Sequence, residues 1–126
     1  YILNVIYDRY HLPIFIVENG IGLDESVGED NTIHDTFRVK YIKEHLKWTY
    51  EAVLDGVDIM GYLYWGPIDI VSAGTGEMKK RYGFVYVDRH NDGTGTLKRT
   101  IKDSYYEMKK IVESNGQSII KEYYKE

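Results

Sequence analysis

The 126-residue chain contains no cysteine, which excludes a disulfide framework and thiolate chemistry. Its histidines, His11, His34, His45 and His90, never fall three to five residues apart, so the sequence offers no helical zinc pair. No apolar run approaches the ~20 residues that a membrane-spanning helix needs, and the first residues read as amphipathic helix rather than signal peptide. A basic excess is also missing. The formal net charge of −4 and the pI of about 5.6 argue against a nucleic-acid partner. What remains is a globular composition, 43% hydrophobic, far from the disordered and collagen-like classes. The 13 tyrosines, each an apolar ring with a polar tip, suit a wet, partly aromatic cleft. The chain opens at Tyr1 with neither an initiator methionine nor an N-cap, and we expect it to be a piece of something longer.

Ile2, Val5, Ile6 and Tyr10 follow helical spacing, and Pro13 stops that helix by disfavouring helical geometry at Leu12. Ile14-Phe15-Ile16-Val17 is wholly apolar, as in a strand buried on both faces of a parallel sheet, and it delivers Glu18-Asn19-Gly20 at its end. Residues 21–34 read as a polar surface loop. Asp35 or Thr36 caps a helix whose stripe is Val39, Ile42, Leu46, Thr49 and Val53, with Gly56 as its stop. Val57 to Trp65 alternates as a second strand, 66–83 is a long loop, and Phe84 to Val87 is a short strand. Thr100 is expected to cap a last helix bearing Ile101, Tyr105, Met108, Ile111 and Val112, which Asn115-Gly116 ends. A weakly helical or frayed tail follows over 117–126. Strands alternating with helices imply βαβ units and a parallel sheet, and both strand ends carry chemically capable residues, where a β/α barrel keeps its active face. A full barrel needs ~250 residues, so the expected fold is α/β, part of such a barrel with two core strands.

Glu18 at the end of a buried strand can serve as the nucleophile of a retaining glycosidase, although the tripeptide also reads as an ordinary loop start. The flat ring of Trp65 can floor a sugar, or simply fill a barrel rim. Lys79-Lys80-Arg81-Tyr82 is the one cationic cluster in an acidic chain, either a solvated turn or an anion clamp. Two other patterns fail. Asp88, Asp92 and Gly93 imitate a calcium loop, but His90 and Arg99 occupy ligand positions, and neither Gly74-Thr75-Gly76 nor Gly93-Thr94-Gly95 opens a helix as a phosphate loop would.

Taken in order, these segments resemble glycoside hydrolase family 1. Leu12 to Gly20 is similar to the family's nucleophile strand, with Glu18 as nucleophile. Asp35, Arg38 and Tyr41 are similar to the helix that follows. Val57 to Trp65 is similar to its last barrel strand, with Trp65 as sugar platform, and Arg81 to Asp88 and the closing helix complete the likeness over residues 1 to about 116. The resemblance implies a C-terminal portion of a (β/α)8 TIM barrel, carrying the last two strands with their helices as a single unit over 1–126. It also implies a bacterial cytoplasmic hydrolase that needs no metal or organic cofactor.

The resemblance also bears on substrate. Relatives acting on plain sugars place a Glu where Ser72 stands, and a carboxylate there would repel a 6-phosphate of about −1.5 to −2 charge, whereas a hydroxyl can donate to it. The 6-phospho branch pairs such a Ser with a Lys and a Tyr, for which Lys80 and Tyr82 stand here. Gly74 or Thr75 are alternatives to Ser72 in a longer loop. Ala73 stands where phospho-galactosidases carry Trp, which points to gluco substrates. The expected activity is therefore retaining hydrolysis of β-linked 6-phosphoglucosides, as in a 6-phospho-β-glucosidase, with Trp65, Ser72, Ala73, Lys80 and Tyr82 around the substrate. The alternatives are a β-glucosidase for unphosphorylated sugars and a non-catalytic chain that binds sugar phosphate or partner chains. The family's acid/base Glu lies in an Asn-Glu pair, and no such pair occurs in this chain. The chain alone is therefore expected to be inert, and to self-associate through its open strand edges.

Overall fold

Chain breakers and apolar spacing set the helices. The computed structural model describes residues 1–124. Helix α1 (Ile2–Tyr10) ends where His11 turns into the left-handed region, φ 50°, its N–H on the Tyr7 carbonyl, with Pro13 just beyond. Helix α2 (Thr36–Leu54) buries Ile42 and Ala52 from its apolar face and terminates before Gly56, whose φ of 94° suits glycine. No helix among the described residues is long and apolar enough to cross a membrane.

Between these helices lies strand β1 (Ile14–Ile16), and after α2 comes β3 (Ile59–Tyr62). They pair in parallel, Phe15 opposite Gly61 and Ile16 opposite Tyr62, so β1, α2 and β3 form one βαβ unit. Gly61 is required there. A Cβ on it would lie 2.5 Å from Cε2 of Phe15, whose ring covers the glycine. Both strands are shorter than the apolar runs suggest, because Val57 still donates to Ala52 at the end of α2. Pairing nevertheless continues past the ladder, with Leu63 N–H on Ile16 O at 2.8 Å and Trp65 N–H on Asn19 O at 2.6 Å.

Burial on both faces is not realised: Phe15, Val17 and Leu63 are exposed on a face that no element covers among the described residues, and Met60 is exposed where the register shifts between Ile14 and Phe15. The core lies on the other side, where Ile42 of α2 meets Phe84, Ile111 of α3 (Asp103–Glu113) and Ile119 of α4 (Gln117–Tyr123). Tyr64 packs on Phe84 with ring centroids 4.6 Å apart.

Several expectations are corrected. The stretch 21–34 is more than a surface loop: it contains β2 (Leu23–Asp24), antiparallel to β4 (Lys80–Arg81), and it buries Ile33. Thr100 does not cap a helix. Thr100 and Ile101 belong to β6 (Arg99–Ile101), a β-branched pair set against Tyr86 and Val85 of β5 (Val85–Val87), and Lys102 is the N-cap of α3. The tail is not frayed over 117–123, where α4 seats Ile119 in the core; residues 125 and 126 of the expected tail lie outside the described residues.

Candidate active site

Because β1 and β3 are parallel, their C-terminal ends lie together, and each ends in a candidate residue. Glu18 is exposed just beyond β1, and Trp65 is half-buried just beyond β3. The Asn19–Trp65 backbone bond fixes the two ends to each other, and the hydroxyl of Tyr62 donates to the side-chain oxygen of Asn19, the residue after Glu18. Burial, with Tyr41 and Tyr64 adding, holds the Tyr62 phenol well above its ordinary pKa, so it stays a donor. Gly20 lets the chain pass close over β3: a Cβ there would lie 3.3 Å from Cβ of Trp65 and 3.4 Å from the Tyr64 ring.

The cationic stretch reaches this end through β2 and β4. Leu23 pairs with Arg81 and Asp24 with Lys80, so the strand bearing Lys80 is hydrogen-bonded to the loop that leaves Glu18. Lys80 and Tyr82 are both half-buried neighbours, the Lys80 Nζ 5.8 Å from the Tyr82 ring centroid. Arg81 departs from the expected cationic cluster. Strand alternation turns it inward, where only 2% of it is exposed, and its guanidinium lies 3.4 Å from Asp69, donates to Val87 O and Arg89 O, and sits 4.1 Å over the Tyr86 ring. Lys79 is exposed beside Glu77. Lys80 is the inner cation that faces away from this buried network.

Ser72 is brought near a turn rather than an open wall. It is buried, its N–H donates to Glu77 O and its carbonyl accepts from Gly76, while its hydroxyl has no partner among the described residues. An unmatched buried hydroxyl costs about 1–3 kcal/mol, so this donor is left wanting an acceptor. Ala73, next to it, is exposed.

Nothing local in the chain marks the charged network behind the site. Arg38 bonds Glu25, Asp35 (2.5 Å) and the Arg81 carbonyl (2.8 Å). Lys102 bonds Glu25 (2.6 Å) and Asp69 (2.8 Å), and Ser104 bonds Asp35. Glu25, Asp35 and Asp69 thus neutralise Arg38, Arg81 and Lys102. Burial pushes the Glu25 carboxyl up, and Arg38 and Lys102 pull it back. This network pins the β2–β4 pair, and so the position of Lys80, to the starts of α2 and α3. Among the described residues no group of three or more His, Asp or Glu could hold a metal ion.

Known proteins resemble this chain in sequence and in fold. The sequence profile of glycosyl hydrolase family 1 matches residues 1–117. The chain belongs to that family. It is 53% identical over 117 residues to the aryl-phospho-β-D-glucosidase BglH of Bacillus subtilis, covering 93% of this chain and 25% of that protein. It is 54% identical over 122 residues to a 6-phospho-β-glucosidase of Clostridium longisporum, covering 94% and 26%. Among solved structures, a β-glucosidase from Thermotoga maritima in complex with castanospermine superposes with a TM-score of 0.81 at 36% identity, over 91% of this chain and 25% of that one. This family 1 chain therefore spans about a quarter of the length of the relatives it matches.

Proposed function

We propose that a full-length protein carrying this chain hydrolyses β-linked 6-phosphoglucosides with retention of anomeric configuration. The observation that carries this reading is the β2–β4 pairing, which ties Lys80 and Tyr82 to the loop that begins at Glu18. A substrate with a phosphate at one end of the sugar and a scissile bond at the other fits a cation and a carboxylate so connected. Identity of 53–54% to the two phospho-glucosidases, against 37% to β-glucosidase A of Thermotoga maritima, supports phosphorylated over plain sugars.

In this scheme Glu18 attacks the anomeric carbon as the glycosidic C–O bond breaks, giving a glycosyl-enzyme that water then hydrolyses. The second carboxyl, ~5–5.5 Å away in a retaining site, protonates the leaving oxygen and then takes a proton from water. It must come from outside this chain's Asn-Glu-free sequence. Asn19, held by Tyr62, fixes the backbone next to Glu18. Trp65 floors the sugar, Lys80 and Tyr82 hold the phosphate, the unpartnered Ser72 hydroxyl is a further donor, and Ala73 leaves the space that suits gluco substrates. The reaction needs no metal or organic cofactor. A phosphorylated sugar is retained inside the cell that made it, so the reading places the enzyme in the cytoplasm.

Lys80→Ala tests it. A hydrogen bond to a charged group contributes about 1.5–3 kcal/mol, so KM for a phosphorylated aryl glucoside should rise roughly ten- to a hundredfold, and far less for its plain counterpart. Equal losses on both would remove the phosphate role and favour the ordinary β-glucosidase reading. For this chain in isolation, the missing Asn-Glu pair favours a non-catalytic role.

A further inference from the structure

We propose that Gly22 is a positioning residue that sets specificity for the 6-phosphate, and that it acts through the side chain it lacks. The inference rests on the phosphate reading above and adds a residue to it. Leu23 opposite Arg81 and Asp24 opposite Lys80 define a register that, carried one step further, sets Gly22 opposite Tyr82. A Cβ on Gly22 would lie 2.7 Å from Cγ of Lys80, 2.8 Å from Cζ of Tyr82 and 2.9 Å from Cε of Lys80. Carbon atoms in good contact stand about 3.5–4.0 Å apart, so the Lys80 stem and the Tyr82 ring already occupy the volume of that methyl group.

The conflict is confined to the two phosphate-binding candidates. The three heavy atoms nearest to such a methyl all belong to Lys80 and Tyr82, none to Glu18 or Trp65. Gly22 does not sit in the left-handed region, unlike Gly56 or Gly66, so alanine meets no backbone penalty there. Gly83 differs in kind, since its Cβ would strike backbone atoms of Ile68 and Asp69 at 2.4–2.5 Å. At Gly22 the nearest atom is Lys80 Cγ, close to the stem, so relief requires the whole side chain to swing and carry its ammonium with it. Cζ of Tyr82 bears the hydroxyl, so moving the ring moves the donor. With 5.8 Å between Nζ and the ring centroid, at the outer reach of a cation–π contact, the pair does not hold itself in place. The gap at Gly22 is what leaves room for both side chains at these positions.

The test compares Gly22→Ala, Lys80→Ala and the double variant in a full-length protein carrying this chain, using a phosphorylated and a plain aryl β-glucoside. Gly22→Ala should raise KM for the phosphorylated substrate about tenfold, the lower end of the loss for a charged hydrogen bond, with kcat and the plain substrate little changed. Inhibition of plain-substrate turnover by glucose 6-phosphate should weaken in parallel. The double variant should lose less than the sum of the two single losses, because the Lys80 contact can be lost only once, while the displaced Tyr82 hydroxyl adds its own share. If Lys80→Ala separates the two substrates and Gly22→Ala does not, the Gly22 inference is overturned and the phosphate reading stands. If Lys80→Ala fails to separate them, both fall. Equal losses on both substrates, or a protein that fails to fold even with Lys80 also cut to alanine, would make Gly22 a packing residue and overturn the proposal.

Discussion

Replacing Lys102 with methionine keeps much of the side chain's length and removes one cation from the sealed network. The Nζ of Lys102 lies 2.6 Å from Glu25 and 2.8 Å from Asp69, and its side chain is fully buried. At an effective dielectric of 20, each contact attracts by about 6 kcal/mol before desolvation is subtracted. Burying an ion costs several kcal/mol, so the intact cluster contributes little net stability. Removing the cation alone is another matter. Glu25 keeps only Arg38, and Asp69 keeps only the 3.4 Å contact with Arg81 and the N–H of Gly83, so the network is left one negative charge in excess. Breaking a buried pair from one side typically costs about 3–5 kcal/mol, and that is the expected loss.

The control is Lys43→Met. Lys43 bonds Glu122 at 3.0 Å and stands 3.5 Å from Glu107; the Glu122 side chain is 40% exposed, so water screens that pair to about 1 kcal/mol or less, and Glu107 keeps Lys110 at 3.8 Å when Lys43 is replaced. Urea denaturation of a full-length protein carrying each variant, followed by fluorescence, gives the comparison. Adding Glu25→Gln to Lys102→Met should recover part of the loss by removing the excess charge, a coupling that a double-mutant cycle measures. If Lys102→Met cost no more than Lys43→Met, the network would not be a sealed charge cluster, and the argument that it anchors β4 would fail.

Three further outcomes are expected. Glu18→Gln should nearly abolish turnover in the full-length protein while substrate still binds, and an activated 2-fluoro glycoside should label Glu18; mass spectrometry finding the label on another carboxylate would overturn the nucleophile assignment. His34 bonds Asp103 at 2.7 Å and Asp30 at 2.9 Å, which raises its pKa in the folded protein, so its stabilising contribution is full below about 6.5, its unfolded value, and is lost as pH rises through the folded value. His34→Gln should flatten the fall in denaturation midpoint as pH rises above about 6.5, and an unchanged slope would remove His34 from the account. Residues 1–126 expressed alone should associate and fail to cleave an aryl 6-phosphoglucoside, because β1 and β3 leave their outer edges unpaired beside the exposed Phe15, Val17 and Met60 among the described residues. Light scattering that showed a stable monomer would contradict this.

Local pattern carried the βαβ unit. The apolar run at 14–17, the α2 stripe through Ile42 and Leu46 and the glycine after it are each readable within a few residues, although Val53 of that stripe is exposed and the strand is covered on one face only. The charged network was not readable, because its partners are far apart in sequence: Glu25 and Lys102 are separated by 77 positions, and nothing local marks either as buried. Arg81 shows a subtler failure. Counting Lys79, Lys80 and Arg81 as one cationic cluster sums charge without direction, whereas a strand sends neighbours to opposite faces. Thr100 misled for a related reason: a hydroxyl before an apolar run fits an N-cap, but a β-branched Thr-Ile pair fits a strand equally well, and β5 supplies the partner.

That inward turn of Arg81 has a consequence for selectivity under the proposed reading. Were both Arg81 and Lys80 directed at a ligand, any dianion would be attracted strongly, wherever its sugar lay. Arg81 is instead buried, matched with Asp69, and donates to two backbone carbonyls, so its charge is turned away from the ligand side. A single ammonium does not neutralise a phosphate of −1.5 to −2 charge, and the balance has to come from oriented donors such as the Tyr82 and Ser72 hydroxyls. Hydroxyls reward only a phosphate held at the right place and angle, whereas bare charge rewards any nearby one. Under that reading, recognition depends on positions set to within an ångström: the β2–β4 register, the gap at Gly22 and the charge cluster behind them would decide whether a phosphorylated sugar is held with its anomeric carbon toward Glu18.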